Sequence, residues 1–246
     1  MLPHPSLELR NGAVFIADSH FSHKDPRAYK LLDFLAKNPP PQIFFVGDIF
    51  QLFIGAIPSS LRLHAPLLAK ISELARQSEV FYLEGNHDFS LPSLENVQIF
   101  PRKRQPLVLE YEGKTILLAH GDLFISPFYE RYIQTMTHPL VTFFLRLLDK
   151  ITLGHLYTSI HKKVLQKSIF ALKNPDEKSF INKRLDDYFS YAKNHNLAPE
   201  ILHFIIEGHF HSTAQNSLYK ALPSFYCQKK ILQLIHGEFH IFYSSN

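Results

Sequence analysis

The sequence predicts an α/β protein: a mixed sheet or two packed sheets, with helices on the faces and a long helical insertion. Three observations carry this reading. Short apolar runs rich in Val, Ile, Phe and Tyr alternate with helical patterns over the first third of the chain. Further on, pairs of strand-like runs flank single glycines, as hairpins do. Residues 126–199 hold no strand pattern, only long helical periodicity.

The first strand is expected over Ala13–Ala17, followed by a helix near Pro26–Lys37 and a stiff helix-to-strand turn at "NPPPQ", Asn38–Gln42. Gln42–Val46 reads as the second strand, Ser60–Gln77 as a helix and Val80–Glu84 as the third strand. This β-α-β-α-β order favours parallel pairing with right-handed crossovers. Leu107–Glu112 and Thr115–Ala119 flank "EGK", and Lys230–His236 and Glu238–Tyr243 flank Gly237, so antiparallel strands join the parallel ones. His203–Glu207 is a further buried strand. In the helical stretch Leu140, Phe143, Phe144, Leu147, Leu148 and Ile151 form one apolar stripe, which in a globular protein is ordinarily packed against the core. Tyr219, Phe225 and Tyr226 are read as packing residues only.

With 246 residues and 46% hydrophobic content the chain can bury a sizeable core. The expected organisation is a single domain over residues 1–246, interrupted by the insertion at 126–199. The lone Cys227 excludes an internal disulfide framework, and Met1–Gly12 lack the charged-then-apolar order of a signal peptide, so a cytoplasmic location is expected. No uncharged apolar run reaches the roughly 18 residues of a membrane-spanning helix. The formal charge of +4 suits an anionic partner. The densest basic patch, "PRKRQP" at Pro101–Pro106, has no interleaved stacking aromatics, which points to anionic lipid headgroups and away from nucleic acid.

The strands end alike: "AVFIADSH", "IFFVGD", "VFYLEGNHD", "TILLAHGD" and "FIIEGHFH" each finish in carboxylate, imidazole or amide. Ligands of open α/β sheets gather outside the carboxyl ends of the strands, so these tips should converge. Side-chain alternation along an extended backbone would let Asp18 with His20, and His209 with His211, face one centre. Carboxylates crowded together repel and take up protons unless a cation compensates them. Mixed Asp, His and Asn donors without thiolate suit manganese, iron, zinc or magnesium. A pair of such ions about 3.5 to 4 Å apart is suited to phosphoryl displacement.

The ordered set "DSH", "GD", "GNHD", "HGD" and "GHFH" resembles the calcineurin-like binuclear metallophosphoesterase family. The resemblance implies a mixed β-sheet sandwich flanked by helices and two divalent metal ions per chain, Mn2+ being the first expectation. It implies one metal held by Asp18, His20, Asp48 and His211, and a second by Asp48, Asn86, His120 and His209, with Asp48 bridging. His87 matches the family's histidine that contacts phosphate oxygen or protonates the leaving group. Asp88 and Asp122 are expected to orient the ligands.

Within that family "GDIFQLFIG" at Gly47–Gly55, "GNHDF" at Gly85–Phe89 and a helical insertion after "HGD" resemble the UDP-2,3-diacylglucosamine pyrophosphatases of lipid A biosynthesis, the LpxH-like hydrolases. Those relatives carry Arg at the position of His87 and two aspartates at the positions of Ala56 and Ile57. The divergent LpxJ type accommodates both differences. The resemblance implies hydrolysis of a UDP-sugar pyrophosphate to UMP and a diacylated sugar 1-phosphate at the inner face of a bacterial membrane. The insertion then forms a lid over acyl chains, and Lys162, Lys163 and Lys167 meet the pyrophosphate together with Asn86 and His87. The competing expectations are a phosphodiesterase acting on a soluble nucleotide or other phosphoester, and a non-enzymatic scaffold of the same fold. A scaffold ordinarily loses ligands, and none is missing here. His23 is expected to be a solvated loop residue, and His64 and His161 ordinary surface or half-buried side chains.

Overall fold

The computed structural model describes residues 6–171, 176–195, 197 and 202–244. In chain order the strands are β1 Leu7–Glu8, β2 Val14–Ile16, β3 Gln42–Val46, β4 Phe53–Ile54, β5 Glu79–Leu83, β6 Asp88–Phe89, β7 Val97–Phe100, β8 Leu107–Tyr111, β9 Lys114–Ala119, β10 Leu202–Glu207, β11 Tyr219–Ala221, β12 Lys230–Ile235 and β13 Glu238–Ser244. The helices are α1 Pro26–Lys37, α2 Pro58–Leu74, α3 Pro127–Met136, α4 Pro139–Ile151, α5 His155–Leu165, α6 Glu177–Asn194 and the single turn α7 Phe225–Gln228.

Two sheets pack face to face. One runs β13-β12-β2-β3-β5-β7, with β2, β3, β5 and β7 parallel and the β12–β13 hairpin joined antiparallel. The other runs β1-β8-β9-β10-β11, with β8 and β9 as the antiparallel hairpin and β9, β10 and β11 parallel. Of the two arrangements left open by the sequence, the packed pair is the one formed.

The alternation of side chains along each strand decides what fills each layer. Phe15, Phe44 and Phe81 point from the first sheet toward the second and stack at 5.0 and 4.6 Å, meeting Leu109, Leu118 and Ile206. Their neighbours Val14, Ile16, Ile43, Phe45 and Val80 point the other way, onto Leu31 and Leu35 of α1 and Leu67 and Ile71 of α2. These strands are apolar on both faces because both are covered. The outer face of the second sheet, with Leu117, Ala119, Ile205 and Tyr219, is covered by Ile181, Leu185, Tyr188 and Ala192 of α6. Truncating a ring such as Phe44 to alanine in this interior would cost about 3 to 5 kcal/mol.

The helices α3, α4 and α5 take a different place. Together with the short parallel pair β4–β6 they bury a small cluster of Ile54, Ile57, Phe89 and Tyr157, with Met136 and Leu145 at its edge. The side chain of Asp149 in α4 accepts from the backbone N–H of Ser59 at the start of α2 (3.0 Å), and the Tyr157 hydroxyl donates to Leu52 O (2.8 Å). The stripe on α4 does not pack on the core as its periodicity suggests: Leu140, Phe143, Phe144 and Ile151 are 59–68% exposed. Hydrophobic periodicity marks a face but not what covers it. "PRKRQP" also departs from expectation, because Arg102 turns inward, to Asp122 Oδ2 (2.7 Å) and Glu130 Oε2 (2.7 Å), leaving Lys103 and Arg104 as its exposed cations.

Candidate metal centre

The carboxyl ends of β2, β3 and β5 in one sheet and of β9 and β10 in the other open toward the same place. His20 Nε2 lies 3.1 Å from His211 Nε2, and His211 Nε2 lies 3.5 Å from Asp18 Oδ1. On the far side of Asp48, His120 Nε2 stands 3.5 Å from Asp48 Oδ2 and 3.3 Å from Asn86 Oδ1. Donor atoms of Asp18, His20 and His211 lie within 4.8 Å of one another, as do those of Asp48, His120 and His209, and those of His20, Asp48 and His87. The carboxylate of Asp48 is therefore the side chain shared between two halves of one cluster.

The backbone that achieves this is not the extended continuation expected from sequence. β2 ends at Ile16 and β10 at Glu207, and then Asp18, His20, Asp48, His209 and His211 all take left-handed conformations, with φ of 49, 48, 52, 67 and 49°. Each such residue costs about 1 to 2 kcal/mol. Hydrogen bonds between the strand tips hold them: Asp18 N–H donates to Gly47 O (3.2 Å), His20 N–H to Asp48 O (2.9 Å) and Gly208 N–H to His120 O (2.7 Å). Two glycines are required by close approach. A Cβ on Gly47 would stand 2.4 Å from His120 Nδ1, and one on Gly85 2.2 Å from Asp48 Oδ1.

Asp88 organises the loop carrying Asp48. Its Oδ1 accepts from Asp48 N (2.8 Å) and Gly85 N (2.9 Å), and its Oδ2 accepts from Ile49 N (2.6 Å), Phe50 N (3.3 Å) and the Tyr82 hydroxyl (2.7 Å). Asp48 Oδ1 in turn accepts from His87 N (2.8 Å). The His87 ring directs Nδ1 to Gln51 O (2.7 Å), so Nδ1 carries the proton and Nε2 is left for the cluster. His120 Nδ1 is fixed in the same way by Val46 O (3.0 Å). Backbone carbonyls behind imidazoles are the usual means of aiming a ligand.

Burial opposes ionisation throughout. It holds His20 and His209 down at about 3, so both are neutral donors of a lone pair, and it pushes the Asp18 carboxyl up. For Asp48 and His120 burial is outweighed by their mutual attraction: Asp48 lies well below the usual carboxylate range and His120 well above the usual imidazole range. Asp18 Oδ1 and His20 Nδ1 are buried without a protein partner, and where His20 Nε2 faces His211 Nε2 at 3.1 Å only one of the two can donate. Oxygen and imidazole donors in this arrangement fit divalent cations, whose binding would displace the proton that His120 holds beside Asp48.

The geometry brings together all seven expected donors, with His87 beside them. Lys162, Lys163 and Lys167 are exposed and are not brought into hydrogen-bond contact with the cluster; it is their neighbour Val164 whose carbonyl accepts from Gln51 Nε2 (3.2 Å), while Gln51 O receives His87. Several contributors escaped the sequence reading. Tyr226 stands edge-on to His20 at 6.0 Å, and the Tyr219 hydroxyl donates to Glu207 Oε1 (2.7 Å), so neither is packing alone. Glu207, two residues before His209, is also clamped by Arg184 through Oε1 (2.8 Å) and Oε2 (2.6 Å). Gln105 bridges the two sheets, accepting from His120 N (2.7 Å) and donating to Glu84 O (2.7 Å). Nothing in the local pattern marks these residues, because their partners are distant in sequence. Beside Asn86 a cavity of about 90 Å³ runs between α3 and β4–β6, lined by Leu52, Ile54, Phe89, Ile133 and Met136.

Residues 13–213 match the model of the family described as calcineurin-like phosphoesterase. Among curated proteins the chain is similar to UDP-2,3-diacylglucosamine hydrolase of Chromobacterium violaceum, 33% identical over 112 residues (44% of this chain, 47% of the relative). It is also similar to that of Photorhabdus laumondii subsp. laumondii, 28% over 138 residues (52% and 56%), and that of Xanthomonas axonopodis pv. citri, 31% over 117 residues (45% and 46%). The chain thus spans about half the length of the curated relatives it matches. Among solved structures it aligns with the Pseudomonas putida nuclease MPE at 20% identity and TM-score 0.30, covering 47% of this chain and 57% of that one.

Proposed function

The chain belongs to the calcineurin-like phosphoesterase family, and from that premise we propose that it hydrolyses the pyrophosphate of UDP-2,3-diacylglucosamine to UMP and 2,3-diacylglucosamine 1-phosphate. The observation that carries the proposal is the joining of two unlike surfaces: a cationic-ligand cluster for pyrophosphate, and the apolar cavity between α3 and β4–β6 that opens on Asn86. The cavity's mainly apolar lining, with Arg102 and Asn86 at its polar side, favours a substrate that carries an apolar part.

In this reading Asp18, His20, Asp48 and His211 hold one divalent cation, and Asp48, Asn86, His120 and His209 the other, with Mn2+ as the first choice. Bound there, the pair supplies charge neutralisation for the phosphoryl oxygens and lowers the pKa of water. The chain's own residues do the rest. Asp88 fixes the loop so that Asp48 faces both halves. His87, held through Nδ1, presents Nε2 to the reacting phosphate. Water adds to one phosphorus and releases a proton to solvent, the bond to the bridging oxygen breaks, and His87 in its protonated form gives that oxygen its proton and regains one from solvent. Asn86 contacts phosphoryl oxygen as well as metal, and Lys162, Lys163 and Lys167, close in sequence to Val164, reach the pyrophosphate as solvated cations.

Residues 126–199 are proposed as an insertion whose first part, α3 to α5, acts as the lid. The exposed Phe143, Phe144 and Leu140 of α4 meet acyl chains or the membrane from which the substrate is drawn, with Arg146 and Lys150 beside them for anionic headgroups. No described helix is long and apolar enough to cross a membrane. In this reading the protein works at the cytoplasmic face as a peripheral one, through the exposed α4 face. The test is a comparison of turnover with manganese on UDP-2,3-diacylglucosamine and on UDP-N-acetylglucosamine. The acylated substrate should be far faster, and equal rates would reject the acyl site in favour of a soluble phosphoester.

A further inference from the structure

Away from the strand tips, three imidazoles meet where the insertion docks. His64 of α2 is fully buried, His161 of α5 is 2% exposed, and His23 lies on the loop between β2 and α1. Their ring centroids form a triangle with sides of 5.6 Å (His64–His161), 5.8 Å (His23–His161) and 6.4 Å (His23–His64). His64 Nε2, His161 Nε2 and His23 Nδ1 are all buried without a protein hydrogen-bond partner. His64 and His161 are thus buried, not the surface or half-buried side chains expected, while His23 is a loop residue as expected but half-buried, with its Nδ1 shielded from solvent.

His64 Nδ1 is taken by Ser60 O at 3.0 Å, which makes Nδ1 the protonated nitrogen and leaves Nε2 as a bare lone pair. The rings of Phe50 and Phe53 lie against His64, at 4.9 and 5.2 Å, and that of Tyr157 against His161, at 5.8 Å. An unpaired polar atom in such surroundings carries a desolvation cost. His64 Nε2 is an acceptor, the His23 and His161 nitrogens become acceptors when their other ring nitrogen carries the proton, and a cation held between the rings would satisfy all three.

We propose that His23, His64 and His161 form a transition-metal site, separate from the strand-tip cluster, that takes Zn2+ and pins α5 to α2 and to the loop following His20. A Zn2+ ion bound at about 2.1 Å sets the centroids of two imidazole ligands roughly 5.3 to 5.6 Å apart for angles between tetrahedral and trigonal. The His64–His161 side already has that length, at 5.6 Å. The three nitrogens stand wider than the strand-tip trios, each of which lies within 4.8 Å. Closure therefore falls to His23, the half-buried member, whose loop position allows a small inward rotation. Three neutral imidazoles with no carboxylate suit zinc and its cobalt surrogate better than manganese or magnesium, and water completes the fourth position.

The experiment compares the full chain with His161→Gln and His23→Gln, each dialysed against limiting Zn2+ and assayed for metal by elemental analysis, then repeated with Co2+. The wild type should retain one equivalent of zinc more than either variant. Its cobalt form should show the intense visible absorption of four-coordinate Co2+, lost in both variants. Equal zinc content and equal cobalt spectra in all three proteins would overturn the proposal. Circular dichroism checks folding, and His23→Gln, altered on a loop, carries the comparison if His161→Gln does not fold. The readout is metal content and not turnover, so it stands or falls apart from the substrate reading.

Discussion

Replacing Asp88 by asparagine isolates the groups that aim the cluster from the groups that form it. Asp88 is fully buried and accepts two backbone N–H groups at Oδ1 and two more, with the Tyr82 hydroxyl, at Oδ2. Asparagine offers one acceptor oxygen. If its amide nitrogen replaces Oδ1, the N–H groups of Asp48 and Gly85 face a donor. If it replaces Oδ2, those of Ile49 and Phe50 do, while Tyr82 can turn to accept. Either way two buried backbone donors lose their acceptor, at about 1 to 3 kcal/mol each, and the survivors lose the charge on theirs. The expected destabilisation is about 3 to 5 kcal/mol in urea unfolding, with metal affinity 10- to 100-fold weaker because Asp48 and the His87 amide move together. A loss under about 1 kcal/mol with unchanged metal affinity would refute the view that Asp88 sets the loop.

His87→Gln should lower kcat by about 10²- to 10⁴-fold while metal content stays the same, and a loss of metal instead would make His87 a ligand. In chelator, acid should destabilise the fold through His64 and His161, whose pKa values burial lowers to about 4 against 6.5 unfolded. The unfolded chain binds more protons between those values, so stability is full above about pH 6.5 and is lost as pH falls toward 4, by about 3 kcal/mol for His64 alone. A flat unfolding free energy across that window, in wild type and His64→Gln alike, would contradict this. Phe143→Ser with Phe144→Ser should leave thermal stability within about 0.5 kcal/mol, since both rings are 59% exposed, yet weaken sedimentation with anionic vesicles. Unchanged vesicle binding would remove α4 from the membrane proposal.

The sheet was legible where the chain buries it on both sides. The runs at β2, β3, β5, β9 and β10 are continuous apolar segments, and each stops at a polar tip, so strand and site announce themselves together. β1, β4 and β6 have two residues each, too few for any period, and β7 is only half-buried, so its pattern is diluted. The donors at the cluster could be named from sequence, but not the left-handed backbone that presents them, since Asp and His carry no marker for positive φ comparable to glycine. Asp88 was named as an orienting carboxylate, though not its partners 40 positions away; Gln105 was harder still, because its importance lies in a hydrogen bond to a residue 15 positions away that only the folded chain brings near. For α4 the stripe was visible and its exposure was not, because an amphipathic pattern is the same whether lipid, substrate or core lies against it.

Electron paramagnetic resonance of the manganese-loaded chain addresses the strand-tip cluster most directly. If Asp48 joins two cations, the spectrum is that of a spin-coupled Mn2+ pair, and Asp48→Ala abolishes the coupling. A spectrum of isolated Mn2+ alone at saturating metal, the same with and without Asp48, would mean that the seven donors do not hold a pair.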